Sequence, residues 1–304
     1  MQKELIFIGL GRMGLAMTTH LVEEGYIVYG HDLSDDARAQ AAVVGVKPYE
    51  TLDTVMSAMS GRKVLWLMVP SSTVDIVLDE VVKYLLPGDI IVDGGNSFYK
   101  DTLRRGAALQ EQQIHYVDCG TSGGMKGARH GASLMVGGDK EVVTEIEQVF
   151  TALATPEGYA HVGGIGAGHF VKMVHNGIEY GMMGALAEGM NFVEAHGTKL
   201  GVDVHAVLNP YQHGSIISSA LMDWLADSYR TEGYLDTIAG EVPRGETEIE
   251  MEHIVAQGET PVLEAAIAQR KMTRGTPSRI GVLISAMRNQ FGGHAVMKRD
   301  KTDR

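Results

Sequence analysis

Ile6-Phe7-Ile8-Gly9-Leu10-Gly11-Arg12-Met13-Gly14 decides the fold: an apolar run, the spacing G-x-G-x-x-G, and then a helix-like stretch, Gly14–Glu24. Gly9 permits a tight turn, and Gly11 lets the backbone approach a pyrophosphate. Gly14 lets helix and strand pack closely, with the phosphates at the helix N-terminus. Gly9 to Gly14, with Leu10, Arg12 and Met13 between the glycines, is therefore a candidate dinucleotide loop. The motif alone is weak, but a second apolar run, Tyr26–His31, ends in Asp32 about twenty residues on, where the fingerprint places an acid. A carboxylate there accepts hydrogen bonds from the adenosine ribose and repels a 2′-phosphate. Leu33 follows, with no arginine beside it, so NAD is expected over NADP. The alternative is that Asp32 only caps the helix starting near Ser34.

Outward from this loop, near-continuous apolar runs recur at Leu5–Leu10, Tyr26–His31, Val64–Val69, Ile90–Asp93, His115–Cys119, Leu134–Val136 and Tyr159–Val162. Such runs suit strands buried on both faces of a parallel sheet. Helix-like stretches separate them at Ser34–Val44, Ser72–Leu85, Asp101–Gln112 and Lys140–Leu153. The alternation predicts an α/β domain with a Rossmann-type doubly wound sheet over 1–163. Gly163 to Gly168 reads as a glycine hinge. Beyond it the pattern is helical to the end, so an all-α domain is expected over 164–304. The charged tail Met297–Arg304 is expected to fray.

A net charge of −12 excludes the basic face that a nucleic acid or an anionic membrane requires. An anionic small molecule would need cations gathered locally. Cys119 is the single cysteine, which rules out an internal disulfide and suits a reducing cytosol. The apolar runs fall short of the ~20 residues that span a bilayer, and no leader is visible. A soluble cytoplasmic enzyme is expected.

The chemistry concentrates at Lys172-Met173-Val174-His175-Asn176-Gly177-Ile178-Glu179-Tyr180. Lys172, His175, Asn176 and Glu179 stand at i, i+3, i+4 and i+7, on one face of a helix. A solvated polar face would give the same pattern, but the apolar, glycine-rich flanks favour a cleft. Oxidation of a secondary alcohol needs a base for the hydroxyl proton, and a desolvated lysine can serve. Asn176 can hold the hydroxyl, His175 can orient a second oxygen, and Glu179 offers another proton-transfer group. Val69-Pro70 and Asp93-Gly94-Gly95-Asn96-Ser97 follow strands at the ligand-binding edge of the sheet. Asn96 is thus a candidate for both cofactor and substrate. Ser122 with the Gly123 and Gly124 amides could cradle a carboxylate. Cys119 reads as a small buried residue. No cluster has metal-ligand spacing, and no metal is expected.

At these residues the chain resembles the β-hydroxyacid dehydrogenase superfamily and, within it, the 6-phosphogluconate dehydrogenase family. The likeness runs through the Gly9–Gly14 loop, Asp93–Ser97, Ser122–Gly124, Lys172–Tyr180 and Arg288-Asn289-Gln290-Phe291-Gly292-Gly293-His294. It implies that Lys172 is the base in oxidation of the 3-hydroxyl and then the acid assisting decarboxylation. Glu179 would protonate the enediol at C1, giving ribulose 5-phosphate, a pentose phosphate pathway product. Tyr180, Arg288 and His294 would hold the phosphate, the last two from a neighbouring subunit, so a homodimer or homotetramer is implied. The chain looks like the short form of the family and departs from it in places. Met182 replaces an aspartate, Ser218 stands where long forms carry an arginine, and Glu241–Glu248 differs from the family segment. Arg288 is therefore expected to carry more of the phosphate binding. Two other readings compete: a non-decarboxylating dehydrogenase of a 3-hydroxyisobutyrate-like acid, and a non-catalytic NAD-binding sensor.

Overall fold

Strand β1 (Glu4–Ile8) shows why the apolar runs are continuous. Leu5 and Phe7 enter one buried cluster and Ile6 and Ile8 another, so both faces of the strand are covered. In this computed structural model, which describes residues 3–299, the same holds for β4 (Val64–Leu67) and β5 (Ile90–Asp93). With β2 (Ile27–His31), β3 (Lys47–Tyr49), β6 (His115–Ser122), β7 (Ala132–Gly137) and β8 (Ala154–Gly163) they form one sheet of order β3-β2-β1-β4-β5-β6-β7-β8. Strands β1 to β6 pair in parallel, whereas β7 runs antiparallel to β6 and parallel to β8. The expected doubly wound sheet is present, with its far edge reversed and β3 added. Pro48 hid β3, because proline removes a ladder donor; β3 tolerates it as an edge strand.

One helical layer contains α1 (Arg12–Glu23), α2 (Asp35–Val43), α6 (Gly124–His130), α7 (Lys140–Glu145) and α8 (Glu147–Leu153). The other contains α3 (Leu52–Ser57), α4 (Val74–Val81) and α5 (Tyr99–Gln110). Helix α6 was not expected, since a seven-residue helix with two glycines leaves little periodicity to read.

The chain divides into two units between Met173 and Val174, inside helix α9 (Ala167–His196), rather than at Gly163. The second unit continues α9 and adds α10 (Val204–Gln212), α11 (Ala220–Arg230), α12 (Glu248–Gln257), α13 (Pro261–Met272) and α14 (Arg279–Gly292). Its core joins Met183, Ala187 and Met190 with Leu221, Met222 and Leu225 and with Val282, Leu283 and Ile284. Of the charged tail, residues 300–304 lie outside the described residues. No helix among the described residues is long and apolar enough to cross a membrane.

Candidate active site

The strand order reverses between β2-β1 and β4-β5, which makes the C-terminal ends of β1 and β4 a switch point where ligands bind. Three loops meet there. A Cβ at Gly9 would lie 2.3 Å from the Met68 carbonyl oxygen, and one at Gly95 would lie 2.8 Å from that of Val69. A Cβ at Gly14 would fall 1.9 Å from the Gly9 carbonyl oxygen, so the loop closes on its own helix. In contrast, a Cβ at Gly11 would meet nothing within 4 Å. Gly11 is the N-cap of α1 and supplies no capping side chain, which leaves room for an oxyanion at the helix start. These residues fit a dinucleotide pyrophosphate.

The Asp93–Ser97 loop is fixed from below. Buried Asp93 accepts from Ser97 Oγ (2.7 Å) and Tyr116 OH (2.9 Å). Buried Arg105 donates to Ser97 Oγ (3.2 Å) and makes two bonds to Asp75 (2.9 and 3.0 Å). The guanidinium of Arg105 holds the Asp75 carboxyl down to about 2. Burial beside Asp93 pushes the Tyr116 phenol up. Arg105 thereby ties the loop after β5, which carries Asn96, to the turn after β4, which begins at Val69-Pro70. The sequence reading missed this network because its members are scattered along the chain from Asp75 to Tyr116.

Strand β6 leads to the next group. Asp118, fully buried, accepts from the Gly166 amide (2.7 Å) and the His169 amide (2.8 Å), anchoring the start of α9. His169 Nδ1 lies 2.7 Å from Thr102 Oγ1. One turn later the stem of Lys172 crosses β6, where a Cβ at Gly120 would lie 2.5 Å from Lys172 Cβ and 2.9 Å from the Gly168 carbonyl oxygen. Gly120 is therefore glycine because the lysine needs its space. Gly120→Ala is expected to displace Lys172 and lower kcat at least tenfold with little change in NADH affinity, as steady-state rates and a binding titration would show. Beyond Ser122, Gly123 and Gly124 both adopt positive φ (113° and 60°), a conformation that can turn successive amides toward an anion. Cys119 is fully buried and its thiol is pushed far up, unlike a nucleophile.

Helix α9 inverts the usual amphipathic order. Phe170, Val174, Ile178 and Met182, spaced by four, are 46, 39, 60 and 41% exposed, whereas Asn176 is 7% exposed and Lys172, His175 and Glu179 are half-buried. A solvated polar face would show the reverse. His175 Nδ1 stands 3.9 Å from Glu179 Oε2 and 3.4 Å from Asn176 Oδ1.

The second unit also holds a cation that the sequence reading missed. Arg270 is 3% exposed, and its guanidinium carbon sits 3.3 Å above the centre of the Tyr180 ring. Its Nε has no hydrogen-bond partner, Nη2 reaches only Met183 Sδ (3.9 Å), and it forms no ion pair among the described residues. Burial pushes its pKa down to about 10, and the charge of Arg288 adds to the effect. Arg288, 8% exposed, donates to the Pro243 carbonyl (3.2 Å) and is also lowered by burial. Glu248 pairs with Arg274 instead, and Tyr180 OH lies 3.0 Å from Thr247 Oγ1. Glu179 and Glu248 favour both charges from a distance, but among the described residues no carboxylate forms an ion pair with Arg270, and a buried guanidinium left so is costly unless an anion joins it. Arg288 is set within its own chain's cluster, on the inner face of α14, while His294 is exposed past the end of that helix. Ser218 is exposed and bonds to the Ser215 carbonyl (2.7 Å). The signal for Arg270 was present: Leu263, Ala266, Ile267 and Arg270 form the i, i+3, i+4, i+7 buried face of α13.

A Rossmann-type sheet with a glycine loop at its switch point, followed by a helical unit, defines a dinucleotide-binding oxidoreductase. Residues 4–166 match the model for the NAD binding domain of 6-phosphogluconate dehydrogenase, and residues 168–227 match that for its C-terminal domain. The chain belongs to the 6-phosphogluconate dehydrogenase family. The NAD(+)-dependent, decarboxylating 6-phosphogluconate dehydrogenase of Haloferax volcanii is 37% identical over 98% of this chain and 99% of its own. The Plasmodium falciparum enzyme, solved with NADP+ and with 6-phosphogluconate, superposes with a TM-score of 0.81 at 26% identity over 89% of this chain and 62% of its own. Mycobacterium tuberculosis 3-hydroxyisobutyrate dehydrogenase, 21% identical over 95% of this chain and all of its own, shares the fold with a TM-score of 0.70.

Proposed function

We propose that the enzyme oxidises 6-phosphogluconate with NAD and releases CO2, forming ribulose 5-phosphate. The observation that carries this reading is the pair of buried arginines beside Tyr180: among the described residues Arg270 stacks on its ring without an ion pair, and Arg288 is bonded only to a carbonyl, an arrangement that suits a phosphate dianion and has no use for an unphosphorylated 3-hydroxyisobutyrate-like acid. The Gly9–Gly14 loop and Asp32 would hold NAD, which would supply the hydride acceptor for oxidation at C3. Lys172 takes the proton of the 3-hydroxyl, with Asn176 and His175 orienting the oxygens. The resulting 3-keto acid is poised to lose CO2, because the carbonyl takes up the electrons of the breaking bond. Lys172 returns its proton to that oxygen, and Glu179 protonates C1 of the enediol. Ser122 and the amides of Gly123 and Gly124 hold the carboxylate. Tyr180, Arg270 and Arg288 hold the phosphate, with His294 closing over it from a second subunit. Asn96 meets both substrate and cofactor, and Asp32 favours NAD. A non-catalytic sensor would have no need of the buried polar face on α9.

The apolar stripe Phe170–Val174–Ile178–Met182 supports a homodimer or homotetramer in which a second copy covers it. Ile178→Asp is expected to shift the assembly toward monomer in sedimentation equilibrium. Cys119, single and buried, suits a reducing cytosol. The deciding experiment measures reduction of NAD and, separately, of NADP with 6-phosphogluconate while CO2 is collected. Stoichiometric CO2 with NAD preferred is the expected result. Reduction without CO2 would favour the non-decarboxylating alternative, and no turnover would reject the substrate.

A further inference from the structure

Both oxygens of Asp32 are engaged. Oδ2 accepts from the Leu10 amide (2.7 Å) and Oδ1 from the Ser34 amide (2.8 Å), so the carboxylate is locked at the end of β2 and cannot swing aside. The sequence offered only Leu33 next to it, and Leu33 is 91% exposed. Helix α2 supplies what that reading lacked. Its first turn brings Arg38 back to the loop, where Nη1 donates to the Asp32 carbonyl oxygen (2.6 Å) and Nη2 pairs with Asp35. The Arg38 side chain is 15% exposed, while that of Asp35 is 92% exposed.

We propose that Arg38 is a latent ligand for the 2′-phosphate of an adenosine ribose, and that Asp32 and Asp35 together hold it out of use. This rests on the reading of the first unit as a dinucleotide site with the ribose at Asp32. A guanidinium binds a phosphate best through two parallel donors. Arg38 has the charge and the position, but one donor is spent on the Asp32 carbonyl and another on Asp35. The two aspartates act differently: Asp35 pairs with Arg38 through its carboxylate, whereas Asp32 bonds it only through the main-chain carbonyl and opposes the phosphate with its carboxylate charge. The Asp35 pair is solvent-exposed, hence screened and weak, and a phosphate dianion would displace it. The Asp32 charge is fixed by two amides and stands where the 2′-phosphate must arrive. Cofactor choice is then set by a repulsive element placed over an attractive one, and removing the first uncovers the second.

The test is calorimetric titration of NADH and NADPH, without substrate, into the full-length protein and four variants. Asp32→Asn keeps an acceptor for the Leu10 amide and loses the charge. It is expected to tighten NADPH about tenfold or more, the size of one charge-assisted hydrogen bond gained. Adding Arg38→Ala should return NADPH to within about threefold of the parent and leave NADH within about threefold. Adding Arg38→Lys instead should keep part of the gain, which covers the case in which the alanine variant does not fold. Adding Asp35→Asn to Asp32→Asn should tighten NADPH severalfold more. If Arg38→Ala leaves the NADPH gain of Asp32→Asn intact, or weakens both nucleotides equally, Arg38 is only a brace for the loop. If the parent binds neither nucleotide, the dinucleotide reading itself falls, and this proposal with it.

Discussion

Lys172→Met is expected to lower kcat by about three to four orders of magnitude while NADH still binds, because in the proposed mechanism the same group takes the hydroxyl proton and later returns it. Methionine is close to the lysine stem in length, so the packing against Gly120 survives. The loss would therefore come from proton transfer. Lys172→Arg provides a control on charge: a guanidinium keeps the cation but cannot act as a base near neutral pH. It should be nearly as inactive. Glu179→Gln separates the two proton-transfer roles. If Glu179 acts after decarboxylation, this variant should form NADH in a rapid burst of about one equivalent per site and then turn over slowly. Lys172→Met should show no burst. A burst in Lys172→Met, or none in Glu179→Gln with kcat unchanged, would sink the division of labour between them.

The parts of this molecule legible in the sequence are those in which one local pattern carries the information. The apolar runs of β1, β4 and β5 are continuous because each strand is covered on both faces, and the sheet could be read from them. The glycine spacing gave the cofactor loop for a similar reason, since a Cβ at Gly14 would collide with the Gly9 carbonyl. The polar face of α9 was legible because helical spacing places its residues together whatever surrounds them. What escaped was assembled from afar. Arg105 joins two loops through partners that no spacing links. Arg38 reaches Asp32 only because α2 turns back over the loop, so inspection of the residue after Asp32 excluded an arginine that the fold restores. With Ser218 standing where long forms carry an arginine, the sequence assigned the phosphate to Arg288 and His294 and passed over Arg270. The informative feature was an arginine on the otherwise apolar face of α13.

That arginine makes the second large prediction. Arg270→Met is expected to lower kcat/KM for 6-phosphogluconate more than a hundredfold and at the same time to raise the thermal stability of the unliganded protein. The first effect follows from losing charge-assisted bonds to the phosphate, each worth about 1.5–3 kcal/mol. The second follows from the cost of the charge. Stacking on Tyr180 returns about 2 kcal/mol or somewhat more, whereas burying a guanidinium with no ion pair costs several. The sign agrees with the titration. Arg270 is a cation whose pKa falls on folding to about 10, so its penalty is fully present at neutral pH and fades only as pH rises past that value. An anion at the site should reverse the penalty. Inorganic phosphate is thus expected to raise the melting temperature of the parent and to leave that of Arg270→Met unmoved, in a thermal scan at constant ionic strength. A stability that falls in Arg270→Met, with phosphate stabilising both proteins alike, would make Arg270 a packing residue and return the phosphate to Arg288 alone. A gain in stability paired with a loss in substrate affinity is a combination that structural damage does not produce, because damage lowers both. On the proposed reading the unliganded protein bears the cost of the buried charge, and a phosphorylated substrate would relieve it on binding.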